Sequence, residues 1–162
     1  MAETPTSRMK KALITTVISH LEKTGFKRKT QTFSRYALSL YRVTNTHVQH
    51  VYIQFSSNNT QFIIQLSVNP ISGYGDVDIA TLNVDQILFI GNFSSSCNLG
   101  PGDALAQHWW VYETMSGIDF AARPDLYTFL GSDGSQFRQL AENVLNLMTD
   151  KLEQLFITLE SR

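Results

Sequence analysis

The stretch HVQHVYIQFSSNNTQFIIQLSV, His47 to Val68, decides the fold. In its first half Val51, Ile53 and Phe55 alternate with Val48, His50, Tyr52 and Gln54. In its second half Phe62, Ile64, Leu66 and Val68 fall on one face, with Gln61, Ile63, Gln65 and Ser67 on the other. A period of two is the signature of strands, because successive side chains of an extended chain point to opposite sides. Between the halves, Ser56-Ser57-Asn58-Asn59 is polar and turn-forming, so the two strands pair antiparallel. Pro70, which cannot donate to a ladder, ends the second strand.

Working outward, Thr30 to Val43 (TQTFSRYALSLYRV) predicts one or two further strands, joined to His47 through an Asn45-Thr46 turn. Before them the period is close to four. Thr4-Pro5 offers a capping hydroxyl and a proline at the first helical position. Met9, Leu13, Val17 and Leu21 then recur along one face, widened by Ile14 and Ile18, and Gly25 closes the helix as its left-handed cap. Downstream, PISGYGDVD is a loop by composition, ILFIGNF predicts a buried strand from about Val84 to Phe93, and SSSCNLGPGD is again a loop. QHWWVYET, Gln107 to Thr114, is expected to be the last strand. After the Gly131–Gly134 break a long helix is predicted with Ser135 as N-cap, its apolar stripe running through Phe137, Leu140, Val144, Leu147, Leu152, Leu155 and Leu159. The expectation is one α+β domain over residues 1–162, an antiparallel sheet of about five strands covered by N-terminal and C-terminal helices.

Composition excludes several classes of function. The chain has 162 residues, 43% hydrophobic and 17% charged, and its 13 basic and 14 acidic residues leave a formal charge of −1. That balance provides no basic field for nucleic acid. Cys97 is the one cysteine, so neither an intrachain disulfide nor a cysteine-rich metal site is possible, and a reducing compartment is the natural setting. Lys10-Lys11 precedes ALITTVI, but SHLEK follows where a signal peptide would need more apolar length and a small-residue cleavage site. No run approaches the roughly 18 apolar residues of a membrane span. A mature cytoplasmic chain that binds neither nucleic acid nor membrane is expected.

QHWWVYET also raises the question of a site. On a strand, His108, Trp110 and Tyr112 share one face while Trp109, Val111 and Glu113 share the other. The tryptophans cannot enter one pocket, and His108 and Glu113 cannot pair as acid and base, so the stretch is expected to be the wall of a core. His47 and His50, three apart on a strand, likewise point away from each other and make a poor metal site. Asp76, Asp78 and Asp85 form a loose acidic group without the ligand spacing of a calcium loop. Gly73 and Gly75 match no phosphate-binding pattern, and Cys97 has no base whose proximity the sequence establishes. No catalytic residue, metal or cofactor is therefore expected.

One set of features resembles a family. Gly25-Phe26-Lys27-Arg28-Lys29 with Phe33 after an amphipathic helix, Ile53-Gln54 ending a strand, Phe62 to Leu66 in the next, and the Trp109-Trp110 pair resemble a bacterial domain of unknown function, number 4304. That family has no established activity, so the resemblance implies no catalytic residues. Small domains of this kind look similar in general character to immunity proteins encoded beside secreted toxins. The functional expectation is a non-enzymatic domain binding a cognate toxin through Tyr74, Asp76, Asp78, Asp103 and Glu113, tyrosine as rigid contact and acids as steering charges. The alternatives are a small hydrolase using carboxylates near Asp76 and Asp78, or a small-molecule sensor with a pocket between helix and sheet.

Overall fold

The computed structural model describes residues 3–29, 37–83, 86–87, 95–99, 109–112, 126–128 and 134–162. The fold is α+β: an antiparallel sheet with an N-terminal and a C-terminal helix on one face. The first helix runs without a break through α1 (Pro5–Leu13), a π turn (Ile14–Ile18) and α2 (Ser19–Lys23). Thr4 caps it as expected, its hydroxyl accepting from the Ser7 N–H at 3.1 Å.

Gly25, at φ 101°, ends this helix with two bonds that define a Schellman cap. The Phe26 N–H donates to the Leu21 carbonyl at 3.1 Å, and the Gly25 N–H to the Glu22 carbonyl at 3.3 Å. The π turn explains the spacing of the apolar stripe. Three turns of α-helix take about 11 residues, yet Met9 to Leu21 is four, four and four. One extra residue in a π turn absorbs that drift, and Met9, Leu13, Val17 and Leu21 all reach full burial.

The sheet is built around the hairpin read from the sequence. β1 (Lys27–Arg28), β2 (Ala37–Val43), β3 (His47–Phe55) and β4 (Gln61–Pro70) form an antiparallel meander. Asn59, at φ 61°, turns the chain between β3 and β4. The far edge of β4 is shared end to end by β5 (Ser95–Asn98), opposite Gln65–Val68, and β6 (Trp109–Val111), opposite Gln61 and Phe62. β7 (Leu126–Thr128) then adds to β6 in parallel. Of the Thr30 to Val43 expectation, Ala37–Val43 is strand, and residues 30–36 lie outside the described residues.

Three expectations are corrected. Ser95–Asn98, read as loop, is a strand: Ser95 and Cys97 face inward opposite Val68 and Leu66, and Cys97 is the apolar one of the two. The strand expected from about Val84 to Phe93 is not one at its two described positions, because Gln86 and Ile87 are helical. The signal was present as a capping box. Asn83 Oδ1 accepts from the Gln86 N–H while Gln86 Oε1 accepts from the Asn83 N–H, both at 2.9 Å. QHWWVYET is not the last strand, since β7 follows it.

The C-terminal helix α3 (Ser135–Glu160) begins one residue earlier than expected: Gly134, at φ 86°, is the N-cap and Ser135 is already helical. Arg8 packs where a side chain at Gly134 would have to go, which explains the glycine there.

One face of the sheet meets these helices. Leu40, Val51, Ile53, Phe62, Ile64 and Leu66 are fully buried beneath Leu13, Val17, Leu140, Val144 and Phe156. At the rim of this layer Arg42 ties four elements together. Its guanidinium lies over the Phe26 ring and donates to Gln49, to the Thr24 carbonyl and, with two bonds of 2.8 and 2.9 Å, to Glu153 of α3. Gln49 in turn donates to Glu160 at 2.8 Å. A planar five-donor fork can serve this many acceptors at once, which lysine cannot.

Candidate functional site

The described part of QHWWVYET is the wall of the core, as its alternation implied. Trp110 and Tyr112 have no exposed surface, and Phe62 stacks on both at centroid distances of 6.0 and 6.2 Å. The Trp110 indole donates to the Leu99 carbonyl at 3.2 Å, and the Tyr112 and Thr6 hydroxyls bond at 2.8 Å. Buried aromatics with polar tips usually pair those tips, as these two do. His108, Glu113 and the Trp109 side chain lie outside the described residues.

The two histidines diverge to opposite faces of β3. His47 Nδ1 is 2.9 Å from Thr46 Oγ1 and 4.0 Å from Glu160 on the helix side. His50 points to the other face, with Nε2 2.6 Å from Ser39 Oγ. Burial, aided by the positive charge of Lys29, pushes the His50 imidazole down to about 4, so it is neutral near pH 7. Cys97 is buried and its thiol is pushed up by desolvation, the opposite of what activates a nucleophile.

The face of the sheet turned away from the helices carries the features of most interest. Across one end of it lies the segment after β4, two 3₁₀ turns at Ile71–Tyr74 and Ile79–Thr81 followed by the helical start at Asn83. Tyr74, Ile79 and Ile87 pack there on Tyr41 and Val48 as a second, smaller core. Tyr74 is the anchor: it is 3% exposed and its hydroxyl donates to the Ile87 carbonyl at 2.7 Å. This corrects the expectation that Tyr74 offers its ring to a partner. Tyrosine beside two glycines suggested an exposed contact, but the apolar patch of Tyr41 and Val48 beneath it favours burial.

With Tyr74 turned inward, the tip Gly75-Asp76-Val77-Asp78 is turned outward. Asp76 and Asp78 are exposed, and Val77 between them is 48% exposed. Asp78 also shapes the tip, since its Oδ1 accepts from the Ala80 N–H at 3.0 Å as the N-cap of the second 3₁₀ turn. Asp85 and Asp103 lie outside the described residues, so the acids this structure brings together are Asp76 and Asp78.

Between this segment and the sheet edge is a cleft of about 540 Å³. The sheet contributes Lys27, Tyr41 and Val43, and the facing wall includes Val77, Asp78 and Ile79. A volume of this order accommodates a small ligand or an inserted side chain. The cleft is on the opposite face from the helices, not between helix and sheet as the sensor alternative placed a pocket. Its residues were legible one by one, but nothing in the sequence brings Lys27 and Tyr41 to Val77 and Asp78.

Among the described residues no three His, Cys, Asp or Glu side chains are grouped as metal ligands, and no helix is long and apolar enough to cross a membrane. Comparison of the chain with protein-family models, with curated proteins and with solved structures found no match.

Proposed function

We propose that this chain is a non-enzymatic protein-binding domain and, within that class, an immunity protein that holds a cognate toxin. The supporting observation is the tip at Gly75 to Asp78, an exposed valine between two exposed carboxylates. An anchored base makes the tip a suitable contact: Tyr74 pins it to the sheet and Asp78 caps the turn that follows. A pre-ordered loop costs less entropy on association than a mobile one. Its chemistry suits a partner surface with an apolar recess ringed by lysine or arginine, where the acids steer approach and the valine fills the recess. A toxin that acts on nucleic acid presents such a basic surface, and the resemblance to the uncharacterised bacterial domain is consistent with that setting.

The test is co-expression with the product of the adjacent toxin-type gene, followed by isolation of a stoichiometric complex. The double variant Asp76→Asn, Asp78→Asn removes both charges, while the amide introduced at the second position retains a capping oxygen. Rescue of growth by the parent chain, with affinity at least tenfold weaker and less salt-dependent in the variant, is the expected result. If no neighbouring product binds, and a turnover activity disappears in the same variant, the hydrolase alternative takes its place.

A further inference from the structure

The cleft shares Val77 and Asp78 with the tip, but its sheet-side wall has chemistry of its own. Lys27 and Tyr41 are direct partners in the β1–β2 register, so their side chains leave the sheet on the same face, about 5 Å apart at their bases. Both line the cleft. Tyr41 is only 6% exposed, and burial raises the pKa of a hydroxyl that is already protonated at neutral pH. Neither the Tyr41 hydroxyl nor the Lys27 ammonium has a hydrogen-bond or ion-pair partner among the described residues. With Lys27 exposed, the two donors stand side by side on one wall of the cleft.

The rest of the lining is mostly apolar. Val43 is 42% exposed and Val77 48%, two of the three exposed large hydrophobic residues among those described, and both line this cleft. Ile71, Leu82 and Ile87 extend the apolar wall. The one acid among the described lining residues, Asp78, has an oxygen committed to the Ala80 N–H.

The geometry points to a small-molecule site here, taking a compact apolar molecule that ends in a carboxylate. The carboxylate accepts from Lys27 Nζ and the Tyr41 hydroxyl, and the apolar body covers Val43 and Val77. Asp78, on the facing wall, repels an anion placed at the wrong end and so fixes the orientation. Such a ligand is held without any change to the helix-side core. The site shares Val77 and Asp78 with the proposed partner contact, but Lys27 and Tyr41 take no part in that contact, so substitutions at these two test the cleft alone.

Three probes that share one body separate the possibilities: 4-phenylbutyrate, 4-phenylbutylamine and 4-phenyl-1-butanol, titrated into the full chain and followed by protein-observed NMR. The carboxylate is expected to bind at least tenfold more tightly than the amine, with shifts centred on Val43, Val77 and Ile79. Lys27→Met and Tyr41→Phe should each weaken the carboxylate three- to tenfold and leave the alcohol unchanged. Circular dichroism of both variants checks that the fold survives. Equal or tighter binding of the amine, no binding of any probe at millimolar concentration, or carboxylate binding indifferent to both substitutions would each overturn the assignment.

Discussion

The two faces of the sheet use the same strands for opposite purposes. On the helix side every inward residue of β4, from Phe62 to Val68, is at most 1% exposed, and the aromatics Phe55, Phe62, Trp110, Tyr112 and Phe137 form a connected series. On the other side the same strands offer Ser39, His50, Tyr52, Gln65 and Ser67, and the smaller core of Tyr41, Val48, Tyr74, Ile79 and Ile87 forms where the segment after β4 crosses. The helix face is held by area removed from water. The opposite face depends on polar groups finding partners, as the Ser39 hydroxyl and the His50 ring do. A surface that sets the Lys27 and Tyr41 donors beside exposed valines is where a binding function can reside at little cost to stability.

The largest expected test of this contrast is Trp110→Ala. Removing a fully buried indole from the aromatic series should cost about 3–5 kcal/mol in chemical denaturation. A loss below 1 kcal/mol would mean that the helix face is not the main source of stability.

Next in size is the pH response of the opposite face. His50 has a folded-state pKa lowered to about 4 from its ordinary 6.5, so the unfolded chain binds a proton more readily than the folded one across that window. Stability from a neutral His50 is therefore complete above about pH 6.5 and is lost as pH falls toward 4, on the order of 2–3 kcal/mol. His50→Gln can keep the hydrogen bond to Ser39 and should flatten the melting curve against pH in that range. An unchanged pH profile in the variant would place the titration elsewhere.

A smaller effect is expected at the anchor. Tyr74→Phe keeps the ring but leaves the buried Ile87 carbonyl without its donor, a loss of about 1–2 kcal/mol. Hydrogen exchange should show the Ile71–Thr81 segment opening more often while the helix-side strands stay protected. Asp76→Asn with Asp78→Asn should be the least costly change, within about 0.5 kcal/mol of the parent. A loss of several kcal/mol there would turn the tip from a contact surface into a structural element.

Much of the fold was legible because it is carried by local patterns. Thr4-Pro5 and Gly25 bound the first helix, and alternation from His47 to Val68 set two strands, their pairing and the face of each residue. Where reading failed, a local rule competed with a context that the pattern did not include. Ser95–Asn98 has no strong strand propensity and is strand because the edge of β4 is free to pair. Val84 to Phe93 is apolar enough for a buried strand, but periodicity in so short a run does not separate strand from helix, and the Asn83–Gln86 capping box was the better signal. The candidate site was legible only in part. Asp76 and Asp78 were singled out for their exposure, while Tyr74 was assigned to the surface because its burial depends on Tyr41 and Val48, which are remote in sequence.

By itself, then, the sequence determined the α+β class, the antiparallel hairpins, the two covering helices and the direction of each side chain from His47 to Val68. These follow from backbone geometry and from apolar spacing, both properties of neighbours along the chain. Only the tertiary structure decided that the segment after β4 folds back over the far face of the sheet, turning Tyr74 in and Val77 out and placing Lys27 and Tyr41 across a cleft from Asp78. Such contacts join residues tens of positions apart, and their energies depend on which surfaces remain uncovered once the main core has formed. No local pattern encodes that remainder.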